Sequence, residues 1–231
     1  MNWEYGITTV PARRLTTLPD TLASLAAAGF DRPRLFVDGE SEAEYVDDPT
    51  AGLPITARMP EVGPFANWLL GVWELYLRNP AADRYAMFED DILAVPHLRQ
   101  YLERDVPRGG YLNCYTCDLH QDILAAGRGW HPVSRQAIGR QGKGALGLVF
   151  DRDGIREMLR QPHLANHPCR KRVGRRNQDG AAWRAMIGAG RCEYVHNPSL
   201  LQHTGNTSVI QPADFLFCRA SSFDASLNLR D

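Results

Sequence analysis

Three consecutive carboxylates, Glu89-Asp90-Asp91, follow the apolar pair Met87-Phe88 in this 231-residue chain. Acids this close repel one another unless a cation or hydrogen-bond donors compensate, and oxygen ligands suit a hard divalent ion such as Mn2+ or Mg2+. A nucleoside diphosphate needs such an ion, because charge accumulates on its phosphates as the bond to them breaks. Taken alone, the triplet is equally well a solvated acidic turn. Five cations, Arg170, Lys171, Arg172, Arg175 and Arg176, stand within seven residues. They form either a solvated basic loop or a grip for the phosphates of a polyanion. Asp179, in Asn177-Gln178-Asp179-Gly180, opens a helical pattern and is suited to capping it. Cys114-x-x-Cys117 with His120 offers three zinc ligands, but no second pair at finger spacing follows. The five cysteines, an odd number, read as reduced thiols.

The elements that must position these residues alternate. Tyr5 to Val10 reads as a strand stopped by Pro11, and Leu15 to Ala28 as a helix ended by Gly29. Arg34 to Gly39 then reads as a second strand with an acidic tip. This β-α-β unit implies parallel neighbours. Ser41 to Thr50 is a loop by composition, Leu53 to Met59 a short strand, and Phe65 to Leu77 a helix with an aromatic face. Arg84 to Phe88 forms the strand that delivers the acid triplet. Helix is expected over Val95 to Arg104, strand over Gly110 to Cys117 and Ala145 to Phe150, and helix near Asp153 to Arg160. Helix over Gln178 to Ile187 and a strand over Cys192 to His196 complete the pattern. Such alternation predicts an α/β fold with a mostly parallel, Rossmann-like sheet flanked by helices, whose ligand crevice lies beyond the carboxyl ends of its strands.

Length and a hydrophobic content of 44% fit one domain spanning residues 1–231. Lys plus Arg number 26 against 27 for Asp plus Glu, so no overall charge draws the chain to nucleic acid or membrane. The apolar runs are far shorter than the roughly 20 residues of a membrane span. The start, Met1-Asn2-Trp3-Glu4-Tyr5, has no signal character, and a cytoplasmic protein is expected.

The run Arg84-Tyr85-Ala86-Met87-Phe88-Glu89-Asp90-Asp91-Ile92-Leu93-Ala94-Val95-Pro96 resembles the DXD segment of GT-A glycosyltransferases in its Glu-Asp-Asp form. The resemblance implies a nucleotide-sugar donor, most often a UDP-sugar, and a Mn2+ or Mg2+ ion. Thr8-Thr9-Val10-Pro11 with Arg13 looks like that family's nucleotide-contacting first loop. Asp38 resembles the acid that touches base or ribose, and Asn67 a donor contact. Gln202-His203-Thr204-Gly205-Asn206-Thr207-Ser208 resembles its late loop, with His203 joining Asp91 on the metal and Ser208 on a phosphate. Glu89 and Asp90 are then expected on the donor side, because Glu89 replaces the first Asp of the commoner motif. Asp179 matches the position of the inverting base, and Gly144 and Ala145 look like the small residues lining the sugar pocket.

On this reading residues 1–95 form the donor-binding half and 96–210 the acceptor and catalytic half, with a tail over 211–231. An acceptor such as DNA bearing a hydroxymethylated base, or a bacterial glycan, would meet Arg172, Arg175 and Arg176. The alternative is a non-catalytic nucleotide-sugar or polyanion-binding module on the same fold. The glycine-rich segment Gly142 to Gly147 precedes its strand, which disfavours a P-loop. Thr9 to Arg14 contains no glycine, which disfavours nucleotidyl transfer.

Overall fold

The computed structural model describes residues 1–40, 50, 52–104, 106–133, 142–167, 178–204 and 219–229. Among these the elements begin with β1 (Trp3–Thr9), α1 (Leu18–Ala27), β2 (Arg34–Asp38), β3 (Ile55–Arg58), α2 (Pro64–Arg78), β4 (Arg84–Glu89) and β5 (Ile92–Ala94). They continue with α3 (Leu98–Leu102), β6 (Gly110–Asn113), α4 (Gln121–Leu124), β7 (Gly129–Pro132), β8 (Gly147–Asp151) and α5 (Arg152–Leu159). The last are α6 (Pro162–Ala165), α7 (Gln178–Gly188), β9 (Cys192–Asn197) and β10 (Leu201–His203). Eight strands make one sheet in the order β3-β2-β1-β4-β8-β6-β9-β7, and β5 pairs with β10 in a separate antiparallel ribbon. The pairs β1/β2, β1/β4, β2/β3 and β6/β9 are parallel, whereas β8 runs antiparallel between β4 and β6 and β7 antiparallel to β9. Six of the eight strands therefore point one way, in a mostly parallel sheet of Rossmann-like type.

Period-two alternation sends neighbouring side chains of the sheet into opposite layers. Leu35, Val37, Ala86 and Phe88 join Leu18 and Leu25 of α1 and Leu98 and Leu102 of α3 on one face. Phe36, Tyr85, Met87 and Phe150 join Trp68 and Val72 of α2, Met158 of α5 and Ala182 of α7 on the other. Burying both faces is why the strands carry near-continuous apolar runs. Ala220 and Leu229, in the expected tail, return to the first layer. No helix among the described residues is long and apolar enough to cross a membrane.

The expected elements are present, and some ends differ for local reasons. The helix expected from Leu15 begins at Leu18, with a proline in its first turn, because Pro11–Arg13 winds a separate 3-10 turn. The helix expected over Val95 to Arg104 shrinks to Leu98–Leu102, since His97 takes a left-handed φ of 62°. The strand expected through Cys117 stops at Asn113, whose side-chain oxygen accepts the Tyr115 N–H at 3.1 Å and turns the chain. Pairing of Ile92–Ala94 with Leu201–His203 has no counterpart in the sequence pattern.

Candidate active site

Parallel neighbours bring Thr9, Asp38, Arg58 and Glu89, the last residues of β1 to β4, to one edge of the sheet. The antiparallel β8 begins at that edge, so residues 142–146 arrive there too, and the Glu89 N–H donates to the Leu146 carbonyl at 3.0 Å. The acid triplet thus lies where an open α/β sheet holds its ligands.

Asp90 and Asp91 are buried, at 8% and 5% exposure. The Thr9 hydroxyl donates to Asp90 Oδ2 at 2.6 Å, and Val10 donates a backbone N–H to the same carboxylate. Burial and the neighbouring Asp91 nevertheless push the Asp90 carboxyl up to about 6. Asp91 Oδ2 lies 3.1 Å from the Arg13 guanidinium and 3.3 Å from His203 Nε2. Although burial opposes it, this company holds Asp91 below the ordinary carboxylate range. The β5/β10 ribbon puts His203 opposite Ile92, one residue from Asp91, and the Thr204 N–H donates to the Asp91 carbonyl at 2.8 Å. Glu89 is raised well above its usual value by burial, then by Asp91, Asp90 and Asp179.

Among the described residues Asp91 Oδ1 has no hydrogen-bond partner, and it is buried. An uncompensated acidic oxygen is costly to bury, and here it stands on a carboxylate that an imidazole already approaches. This donor set, oxygen with imidazole, fits Mn2+ or Mg2+ better than a soft ion. Among the described residues no three His, Cys, Asp or Glu side chains are grouped to hold one ion.

Asp179 stands in the first turn of α7 and reaches the triplet through its neighbour, since Gln178 Nε2 donates to Glu89 Oε1. Its Oδ2 accepts the Gly144 N–H at 3.1 Å and its Oδ1 the Gly180 N–H at 2.8 Å. Burial raises its pKa, and those two N–H groups oppose the rise. Gly144 has φ of 71°, and a Cβ there would sit 2.3 Å from Tyr115 Cδ1, so only glycine fits beside the carboxylate.

The other expected residues are distributed unevenly. Thr8 donates its hydroxyl to the Phe88 carbonyl at 3.3 Å, between the two central strands. Asp38 accepts the Val62 and Gly63 N–H groups at 2.7 and 2.8 Å, clamping the entry to α2. Asn67, 2% exposed, bonds Arg58 Nε at 2.9 Å and the Phe36 carbonyl at 2.8 Å. These two side chains hold backbone, and Asn67 also holds Arg58. Ala145 packs into the second hydrophobic layer. Arg172, Arg175, Arg176 and Ser208 lie outside the described residues. Cys114 is fully buried, its thiol pushed up to about 12 by that burial, and Cys117 Sγ is 3.8 Å from His120 Nδ1. Sequence reasoning missed Gln178 as the bridge to Glu89. It also missed Glu193, an acid buried at 1% exposure in β9; a charge in so short a strand was its visible signal.

No protein-family model matches the chain, and no curated protein does. Several solved structures are similar to the chain. One is a nucleotidyl transferase (Mth528) from Methanothermobacter thermautotroptrophicus, 17% identical, covering 85% of this chain and 88% of its own, with a TM-score of 0.51. Two others are A197 from STIV (15% identity, 87% and 84% coverage, TM-score 0.46) and the CMP:2-keto-3-deoxy-manno-octonic acid synthetase complexed with CTP (14%, 84% and 89%, TM-score 0.47). At such identities the likeness to the first of these is one of fold alone: a mixed α/β, Rossmann-like architecture with a mostly parallel sheet flanked by helices.

Proposed function

We propose that this chain is a metal-dependent glycosyltransferase that moves a sugar from a nucleoside-diphosphate donor to an acceptor hydroxyl with inversion. One observation carries the reading. The acid triplet and the carboxylate of α7, whose bridging side chains lie 89 positions apart, meet at the carboxyl edge of the sheet through Gln178 and Glu89. One site thereby offers both the charge compensation a leaving diphosphate needs and a base a few residues away.

Asp91 and His203 would hold the ion, which neutralises charge gathering on the diphosphate. Arg13, 3.1 Å from Asp91, adds a second cation at the end of β1. Thr9 and the Val10 N–H orient Asp90. Asp179 takes the proton of the acceptor hydroxyl as that oxygen bonds to the anomeric carbon. The bond from that carbon to the phosphate oxygen breaks, and its electron pair leaves with the nucleotide. A base raised above the ordinary carboxylate range is better matched to this proton than a free Asp. The donor sugar, in this reading, lies near Gly144 and Ala145. In this reading Arg172, Arg175 and Arg176 serve a polyanionic acceptor, and Ser208 a phosphate.

The test is thermal denaturation with UDP, CDP, GDP and ADP and their sugar conjugates, each with and without Mn2+. It is followed by intact-mass detection of hexose or pentose added to glycans and to hydroxymethylated DNA. Stabilisation by a diphosphate only with Mn2+ is expected, whereas metal-indifferent binding without sugar addition supports the binding module instead. Nucleotidyl transfer is the second reading, favoured by the fold shared with the archaeal nucleotidyl transferase. It requires pyrophosphate release from a nucleoside triphosphate, which a phosphate-coupled assay detects directly.

A further inference from the structure

We infer that Glu193 and Asn113 are positioning residues for Asp179, strapping residues 142–144 into the shape that presents the Gly144 N–H to that carboxylate. The inference rests on Asp179 being the base proposed above. Glu193 Oε2 accepts the Gly142 N–H at 2.9 Å, and Oε1 accepts Asn113 Nδ2 at 3.0 Å. The same amide donates to the Lys143 carbonyl at 3.0 Å. The next peptide N–H along the strap is that of Gly144, which Asp179 accepts.

Local sequence does not hold this shape. Gly142 and Gly144 both take positive φ, 56° and 71°, where a chain without anchors samples many conformations. A Cβ on Gly142 would lie 2.7 Å from Trp183 Cβ and 3.0 Å from the Asp179 carbonyl, so the strap is wedged against α7. On its other side the anchors are rigid. Glu193 and Asn113 are each 1% exposed, on the adjacent strands β9 and β6, and Asn113 also accepts the Tyr115 N–H. Burial pushes the Glu193 carboxyl up, and donors from Gly142, Asn113 and Tyr111 oppose it. Three donors converging on one buried acid leave it no freedom to turn, which makes it an anchor rather than a reactant.

The experiment uses the full chain without ligand, labelled with 15N and with 13C at the Asp carboxyls. NMR reads the exchange rate of the Gly144 amide and the titration midpoint of Asp179. In Glu193→Gln the side chain must turn an NH2 toward at least one of its three donors. Exchange at Gly144 is expected to rise by about tenfold or more, with Asp179 becoming a roughly 3- to 10-fold weaker acid as a bond to its charged form is lost. Asn113→Asp keeps the acceptor for Tyr115 and removes the donor to Lys143, and it moves both readouts the same way; it decides the matter if the first variant does not fold. Unchanged exchange and an unchanged midpoint in either folded variant overturn the inference. Full turnover by Asp179→Asn sinks the base assignment instead, and the NMR result distinguishes the two failures.

Discussion

Two buried polar regions of this molecule are built on opposite principles. Around His196 and the turn after β9, neutral donors meet neutral acceptors. The Thr116 hydroxyl donates to the His196 carbonyl at 2.6 Å, Ser199 to the Leu201 carbonyl at 2.7 Å, and both ring nitrogens of His196 have partners at 2.7 Å, Tyr101 and the Pro198 carbonyl. Facing a carbonyl, Nδ1 carries the proton, so Nε2 accepts from the tyrosine. At the ends of β1 and β4, by contrast, Glu89, Asp90, Asp91 and Asp179 crowd together, three of them raised in pKa, and one oxygen of Asp91 has no donor among the described residues. A matched network stabilises the fold, whereas an unmatched one stores a cost that a bound cation or a transferred proton relieves. That contrast sets the acid cluster apart from the matched polar interior around His196.

The comparison breaks first at Asp179. Replacing it by Asn is expected to lower transfer about 10^3-fold with donor binding nearly unchanged, as steady-state kinetics and calorimetry will show; retained turnover removes the base from the crevice. Next comes the matched region. His196→Leu strands the Tyr101 hydroxyl and the Pro198 carbonyl and is expected to cost about 3 kcal/mol in urea unfolding, with no change in nucleotide binding.

Acid tests the same residue without mutation. Folded, His196 stays neutral down to about 4, because burial disfavours its charge; unfolded, it takes a proton near 6.5. The unfolded state therefore binds more protons between those values. Stability present above 6.5 is lost as the pH falls through about 4, by on the order of 3 kcal/mol, and the loss is absent in His196→Leu. The smallest effect has the opposite sign. Asp90 is charged at neutral pH despite a folded pKa of about 6, so Asp90→Asn, which can still accept from Thr9, is expected to stabilise the fold at pH 7 by about 2 kcal/mol. The gain shrinks as the pH falls below 6 and vanishes only below 3.8, where the wild-type carboxyl becomes neutral in both states. A polar deletion that destabilises at His196 and stabilises at Asp90 would sharpen the distinction most.

Much of the fold was legible in short windows. The strand ending in Glu89, the helix opening near Asp179 and the β-α-β start all follow from apolar period and punctuation. The backbone partners of Asp38 and Asn67 were not. A strand-tip acid and a helix-start amide look alike whether they face a ligand or backbone, and here the Val62, Gly63 and Phe36 backbone groups engage them.

What the chain determined by itself is therefore the class of the fold and the edge of the sheet at which acids gather, because side-chain period and turn residues act over a few positions. Tertiary structure alone decided that β10 lies against β5, bringing His203 to Asp91, and that Gln178 reaches Glu89 while Glu193 ties down the strap beside Asp179. Those contacts join residues far apart in sequence, and such pairings are selected by the burial of whole layers, which no local pattern encodes.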